Sequence, residues 1–152
     1  MRTRQGFTIV ELIAVIAILG IISAIAAPKL IGNDAFAARG AYSTLLSGIR
    51  YAQKTAVAQR TTVYVNLNTS TRVLCLGYDA TCTTAVIDPA TKAAYSKTLP
   101  STVDLTQSRT DLAFNSQGYP TSGSDTVLTV TNNVSTEAAR TITVWRTTGY
   151  AQ

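Results

Sequence analysis

From Phe7 to Ala27 this chain carries no charged side chain except Glu11. No other feature constrains the fold as much. As a helix rising 1.5 Å per residue, those 21 residues span about 31 Å, against a hydrocarbon core of about 30 Å. A carboxylate at the centre of a membrane helix costs roughly 2.5–3.5 kcal/mol, and such a group is expected to have a functional partner. Arg2 and Arg4 precede the run and Lys29 follows it. The positive-inside rule then keeps the N-terminal flank cytoplasmic and places the rest of the chain on the far side. Two plainer readings compete. A secretory signal peptide also has a basic start and an apolar core, and Ala24-Ile25-Ala26 resembles its cleavage site, but this run is long for such a core and holds Glu11 at its beginning. A simple anchor accounts for the length and gives Glu11 no purpose.

The 152 residues suffice for one modest domain beside a membrane helix. The formal charge is +5, falling to about +3 if Arg2 and Arg4 are removed. That is a mild excess, not the dense basic stripe of a dedicated nucleic-acid binder. There is no histidine, which removes the commonest general base and metal ligand. Asp104 and Asp111 alone could be proposed as a carboxylate pair, and nothing beside them in sequence would tune them. Cys75 and Cys82 cannot build a four-ligand zinc site. In an oxidising compartment they are expected to close a small loop as a disulfide; two separate reduced thiols in the core are the alternative. No catalytic constellation, metal or cofactor is expected.

Beyond the apolar run, Ala41, Leu45, Ile49, Ala52 and Ala56 recur at spacings of three and four, one face of an amphipathic helix. Together the two stretches predict one long helix from about 8 to about 59, bent near Pro28 and loosened again at Gly32-Asn33-Asp34. Period two follows. Val63, Val65 and Leu67 share a face, Asn68-Thr69-Ser70 is turn chemistry, and 72–78 returns as the second strand of a hairpin. Residues 79–100 predict loop with one or two short strands, and 111–115 a short strand. Residues 126–131 and 140–146 predict a second hairpin around Asn132-Asn133, with Ile142 and Val144 facing a core. The fold class is α+β, with a long N-terminal helix packed on a small antiparallel β-domain.

A basic leader, Gly6-Phe7, and Glu11 four residues after that Phe resemble the prepilin signature of type IV pilins and type II secretion pseudopilins. The resemblance implies cleavage between Gly6 and Phe7, N-methylation of Phe7 and assembly into a filament. The freed amine of Phe7 in an incoming protomer would then meet Glu11 of a neighbour, so that two charges compensate in a low-dielectric core. Gly20 and Pro28 match positions where the family's helix loosens in a filament. The segment 45–60, the strand 63–67, Phe114-Asn115-Ser116-Gln117-Gly118 and the ending 143–150 are similar to the GspH/FimT group of minor pilins and pseudopilins, including MshC-type proteins.

The resemblance implies a leader over 1–6, a transmembrane and filament-core helix over 7–28, an amphipathic helix over 29–59 and a β-domain over 60–152. It implies a minor prepilin: a structural, non-enzymatic subunit of a type IV pilus-like filament with a priming, tip or assembly role. The expected partners are other pilins or pseudopilins, prepilin peptidase and an inner-membrane assembly platform. The expected location is the bacterial inner membrane before assembly, with the C-terminal domain periplasmic, and the filament afterwards. A GspH-like minor pseudopilin of type II secretion is the alternative in the same class. A DNA-capturing minor pilin is the alternative in another, with Arg140, Trp145 and Arg146 as its contacts. That group places an Arg after the final Gly, whereas here Gly149 is followed by Tyr150-Ala151-Gln152, so little or no DNA binding is expected.

Overall fold

The computed structural model describes residues 7–31, 34–134 and 136–152, and only the backbone of 26–31, 34 and 35. The chain divides into two compact units, Met1–Asn33 and Asp34–Gln152.

In the first unit, helix α1 runs Ile9–Ile31. Thr8 starts it: its carbonyl accepts from the Leu12 N–H (3.1 Å) and its hydroxyl oxygen from the Glu11 N–H (3.2 Å). Thr8 and Glu11 stand at the Thr-x-x-Glu spacing of a capping box, in which a side-chain oxygen satisfies one of the donors orphaned at a helix start. The helix passes through Gly20 and Pro28 without interruption. The sequence predicts one bent helix from about 8 to about 59; helix is described over Ile9–Ile31 and again from Asp34, and Gly32-Asn33 between them lie outside the described residues. Among the described residues no helix is long and apolar enough to cross a membrane. Side chains of α1 are described only to Ile25, and the expected span over 7–28 extends past that point.

The second unit opens with helix α2, Asp34–Gln59. Seven strands follow: β1 Val63–Asn68, β2 Val73–Gly77, β3 Ser96–Thr98, β4 Val103–Gln107, β5 Ala113–Phe114, β6 Thr126–Asn132 and β7 Arg140–Val144. They form two antiparallel sheets, ordered β3-β2-β1-β5 and β4-β6-β7. The face Ala38, Ala41, Leu45, Ile49, Ala52, Ala56 of α2 is fully buried and packs on both sheets. A helix face of small residues with two large ones lets strands come close. At Gly48 a Cβ would lie 2.6 Å from Leu74 Cδ2 and 3.0 Å from Tyr95 Oη, so a larger residue there would have to displace one of those side chains.

Both expected hairpins form. Asn68 Oδ1 accepts from the N–H groups of Ser70 and Thr71, which turns β1 into β2. In β6–β7, Thr126 faces Val144 and Val130 faces Arg140, but residues 133–139 connect the strands, a longer link than Asn132-Asn133 alone. Strand β4 is not anticipated by the sequence reading, nor is the separation into two sheets. The hairpin tip joins them: Arg72 donates to the Val103 carbonyl (2.6 Å) and Gln107 to that of Leu67 (3.1 Å).

Candidate functional site

Phe7 and Glu11 sit at the head of α1. Every described side chain of α1 is exposed, and its large apolar residues occur on all sides, from Ile9 to Ile25. A helix apolar all round belongs in lipid or among other helices. Glu11, three residues into the helix, is placed where the positive end of the helix dipole favours a carboxylate. That local role for Glu11 was readable in the sequence from the Thr8–Glu11 spacing. Gly6 lies outside the described residues, as does the Pro28 side chain; Gly20 has open space around it.

The segments 114–118 and 143–150 converge on α2. Gln53 Nε2 donates to the carbonyls of Gly118 (2.9 Å) and Thr148 (3.3 Å). The Arg50 guanidinium donates to the Ala151 carbonyl (2.9 Å), and Ala151 bridges back to Val144. Gly118 and Gly149 both hold positive φ, 83° and 68°, and a Cβ on Gly149 would run into the Gly118 carbonyl oxygen. These segments therefore lock the C-terminus onto the helix. No sequence signal pointed to Arg50 or Gln53 as the residues that do so.

Arg140 is separated from Trp145 and Arg146. It opens β7 and they follow its end, so a strand length of about 13 Å intervenes. Glu137 holds it by an ion pair (3.1 Å) and also pairs with Arg39 of α2 (2.8 Å). Hydrogen bonds from Arg39 and then Arg140 keep the Glu137 carboxyl below its ordinary range. Asp104 and Asp111 are engaged by different arginines, Arg72 (3.4 Å) and Arg109 (2.6 Å), so the structure does not bring them together as a pair. No group of three or more metal-ligating side chains occurs among the described residues.

Cys75 and Cys82 are joined in a disulfide, with Cα atoms 6.5 Å apart. The small loop it closes is organised by Asp79, whose carboxylate accepts from the Thr81 hydroxyl and from the amides of Thr84, Thr83 and Thr81. Those bonds, the Thr81 hydroxyl first, hold its pKa far below the ordinary value. Cys82 itself takes positive φ, and Gly77 leaves room for it.

Residues 1–27 match the prokaryotic N-terminal methylation motif, which defines a class of proteins anchored in a membrane and then assembled into a filament. Residues 41–148, most of the second unit, match the family described as type II transport protein GspH, and the chain belongs to that family of pilin-like and pseudopilin subunits, which are structural and not enzymes. Such subunits assemble into filaments with other pilins. Among solved structures, the type IV minor pilin FimU of Pseudomonas aeruginosa is similar in two crystal forms. One has a TM-score of 0.60 at 17% identity, covering 79% of this chain and 90% of that one; the other 0.57 at 18%, covering 75% and 90%. The minor pseudopilin EpsH of the Vibrio cholerae type 2 secretion system gives 0.54 at 14%, covering 74% and 91%. At these identities the likeness is one of fold. Comparison with curated protein sequences gave no match.

Proposed function

We propose that this chain is a minor prepilin. Prepilin peptidase cuts after Gly6, Phe7 becomes the methylated N-terminus, and the subunit enters a type IV pilus-like filament in a priming, tip or assembly role. The observation that carries this is α1: a helix apolar on every described side, with one carboxylate in its first turn, on a chain whose remainder belongs to the GspH family. Residues 7–28 anchor the subunit in the inner membrane before assembly, with the domain over 29–152 periplasmic, and pack the filament core afterwards. Glu11 then pairs with the amine of Phe7 on a neighbouring subunit, where a buried charge without a partner is expensive. Gly20 and Pro28 serve as the places where the packed helix can loosen.

A second reading, a minor pseudopilin of type II secretion, is favoured by the GspH match itself and by the likeness to EpsH. The two share the chemistry at Phe7 and Glu11 and differ in the machine that receives the subunit. Intact-mass measurement of the chain isolated from its host tests both. The expected mature form begins at Phe7 and carries one methyl group. A chain beginning at Ala27 would instead mean a secretory signal.

A further inference from the structure

Between the loop before β6 and the turn after β7 lies an open cleft of about 550 Å³, lined by Gly123, Ser124, Asp125, Trp145, Arg146 and Thr147. None of these lining residues belongs to α1. The walls of the cleft are fixed. The Arg146 N–H donates to Asp125 Oδ1 (2.7 Å), which ties one wall to the other. The Ser122 hydroxyl donates to the Ser124 carbonyl (3.0 Å), and Arg109 donates to the Ser124 hydroxyl (3.3 Å). On the opposite side Trp145 begins a closed turn. Its N–H donates to the Tyr150 carbonyl (2.9 Å), and its own carbonyl accepts from Gly149 (2.7 Å) and Thr148 (3.3 Å).

What these walls offer is specific. Trp145 is the only tryptophan in the chain and is 42% exposed, a large aromatic surface left uncovered on a backbone that is held in place. Around it, among the described residues, the second oxygen of Asp125, the Arg146 guanidinium, the Thr147 hydroxyl and the indole N–H make no intramolecular hydrogen bond. One carboxylate and one guanidinium leave the cleft without net charge. A phosphate backbone would meet Asp125, and single-strand binders rely on a positively charged groove. A purely apolar ligand would strip water from four polar groups and return no hydrogen bonds. A polyhydroxylated ring carries both the donors and the acceptors that these groups call for. Its C–H face suits the electron-rich face of an indole, and its hydroxyls can donate to a carboxylate and accept from a guanidinium or hydroxyl.

We propose that this cleft is a binding site for a neutral saccharide, with Trp145 as the stacking platform and Asp125, Arg146 and Thr147 as the hydrogen-bonding rim. Because Trp145 is the sole tryptophan, its emission reports this cleft alone. The test uses the full chain in a sugar-free zwitterionic detergent, titrated with cellotetraose, chitotetraose and mannotetraose. The expected result is a saturable change in tryptophan emission with at least one of the three, at a Kd on the order of 1 mM or tighter. Followed by saturation-transfer NMR on the sugar, Trp145→Ala and Arg146→Gln should each weaken binding by about tenfold or more. Arg146→Gln keeps the backbone bond to Asp125, so it separates loss of contact from loss of fold. No saturable change with any of the three would overturn the proposal. So would binding that survives both substitutions, or an oligothymidylate that saturates the emission change at lower concentration than every sugar.

Discussion

At Glu11 the backbone and the side chain answer to different partners. The N–H is satisfied within the chain by Thr8, while the carboxylate has an uncovered apolar helix behind it. Two other positions show how much backbone conformation matters in the folded unit. Gly149, at φ 68° and against the Gly118 carbonyl, has no room for a side chain. Gly149→Ala should destabilise the unit by about 2 kcal/mol or more, through strain and the loss of the Gln53 clamp, as read by thermal or denaturant unfolding. Arg60 is the converse. It holds φ 52° at the end of α2, where Arg60 donates to Val57 and Thr61 to Ala56, the bonding pattern that usually places glycine there. Arg60→Gly should stabilise by about 1 kcal/mol in the same assay. The positive φ of Arg60 and the need for glycine at 149 were not legible in the sequence, because both depend on what lies across the fold. Cys75 and Cys82 were legible, because a thiol pair at close spacing has few uses.

Among the elements, α2 and the two hairpins were readable because period and partner agree. The buried stripe Ala41 to Ala56 has period near 3.6, and Val63, Val65 and Leu67 alternate cleanly. Strand β4 was missed for a physical reason. Only Val103 and Leu105 mark its buried face, in a setting of Asp, Thr and Gln that reads as loop until β6 is beside it. Ion pairs then hold elements together, and they set an acid limit. Glu137 is kept below its ordinary 4.5 by Arg39 and then Arg140, and Asp88 and Asp111 below 3.8 by Lys97 and Arg109. A carboxyl with a depressed folded pKa stabilises the fold at pH values above its unfolded pKa. That contribution is lost as pH falls through the folded value. The melting midpoint should therefore stay level from neutral pH to about 5 and fall below about pH 4. Glu137→Gln should make that fall shallower; an unchanged slope would remove Glu137 from the account. Opening the disulfide by Cys75→Ala with Cys82→Ala should cost about 2.5 kcal/mol on the loop-entropy estimate, measured by urea unfolding.

For the molecule as a whole, charge and apolar surface point the same way. Without Arg2 and Arg4 the side-chain excess would be only about +3, and Arg140 is committed to Glu137 away from Arg146. Duplex DNA should bind weakly or not at all near physiological salt, and any retention in a mobility-shift titration should fall steeply as salt rises. The dominant uncovered surface is α1, and its one charge decides what can cover it. Lipid alone is better matched by a helix without Glu11; a filament core that supplies an amine is better matched with it. One measurement separates these. The wild-type and Glu11→Val chains are expressed in the native host, and each is quantified in the membrane fraction and in sheared filaments. The account predicts membrane levels equal to or above wild type for Glu11→Val, with its share in the filaments reduced about tenfold or more. Glu11→Val entering filaments at the wild-type level would contradict it.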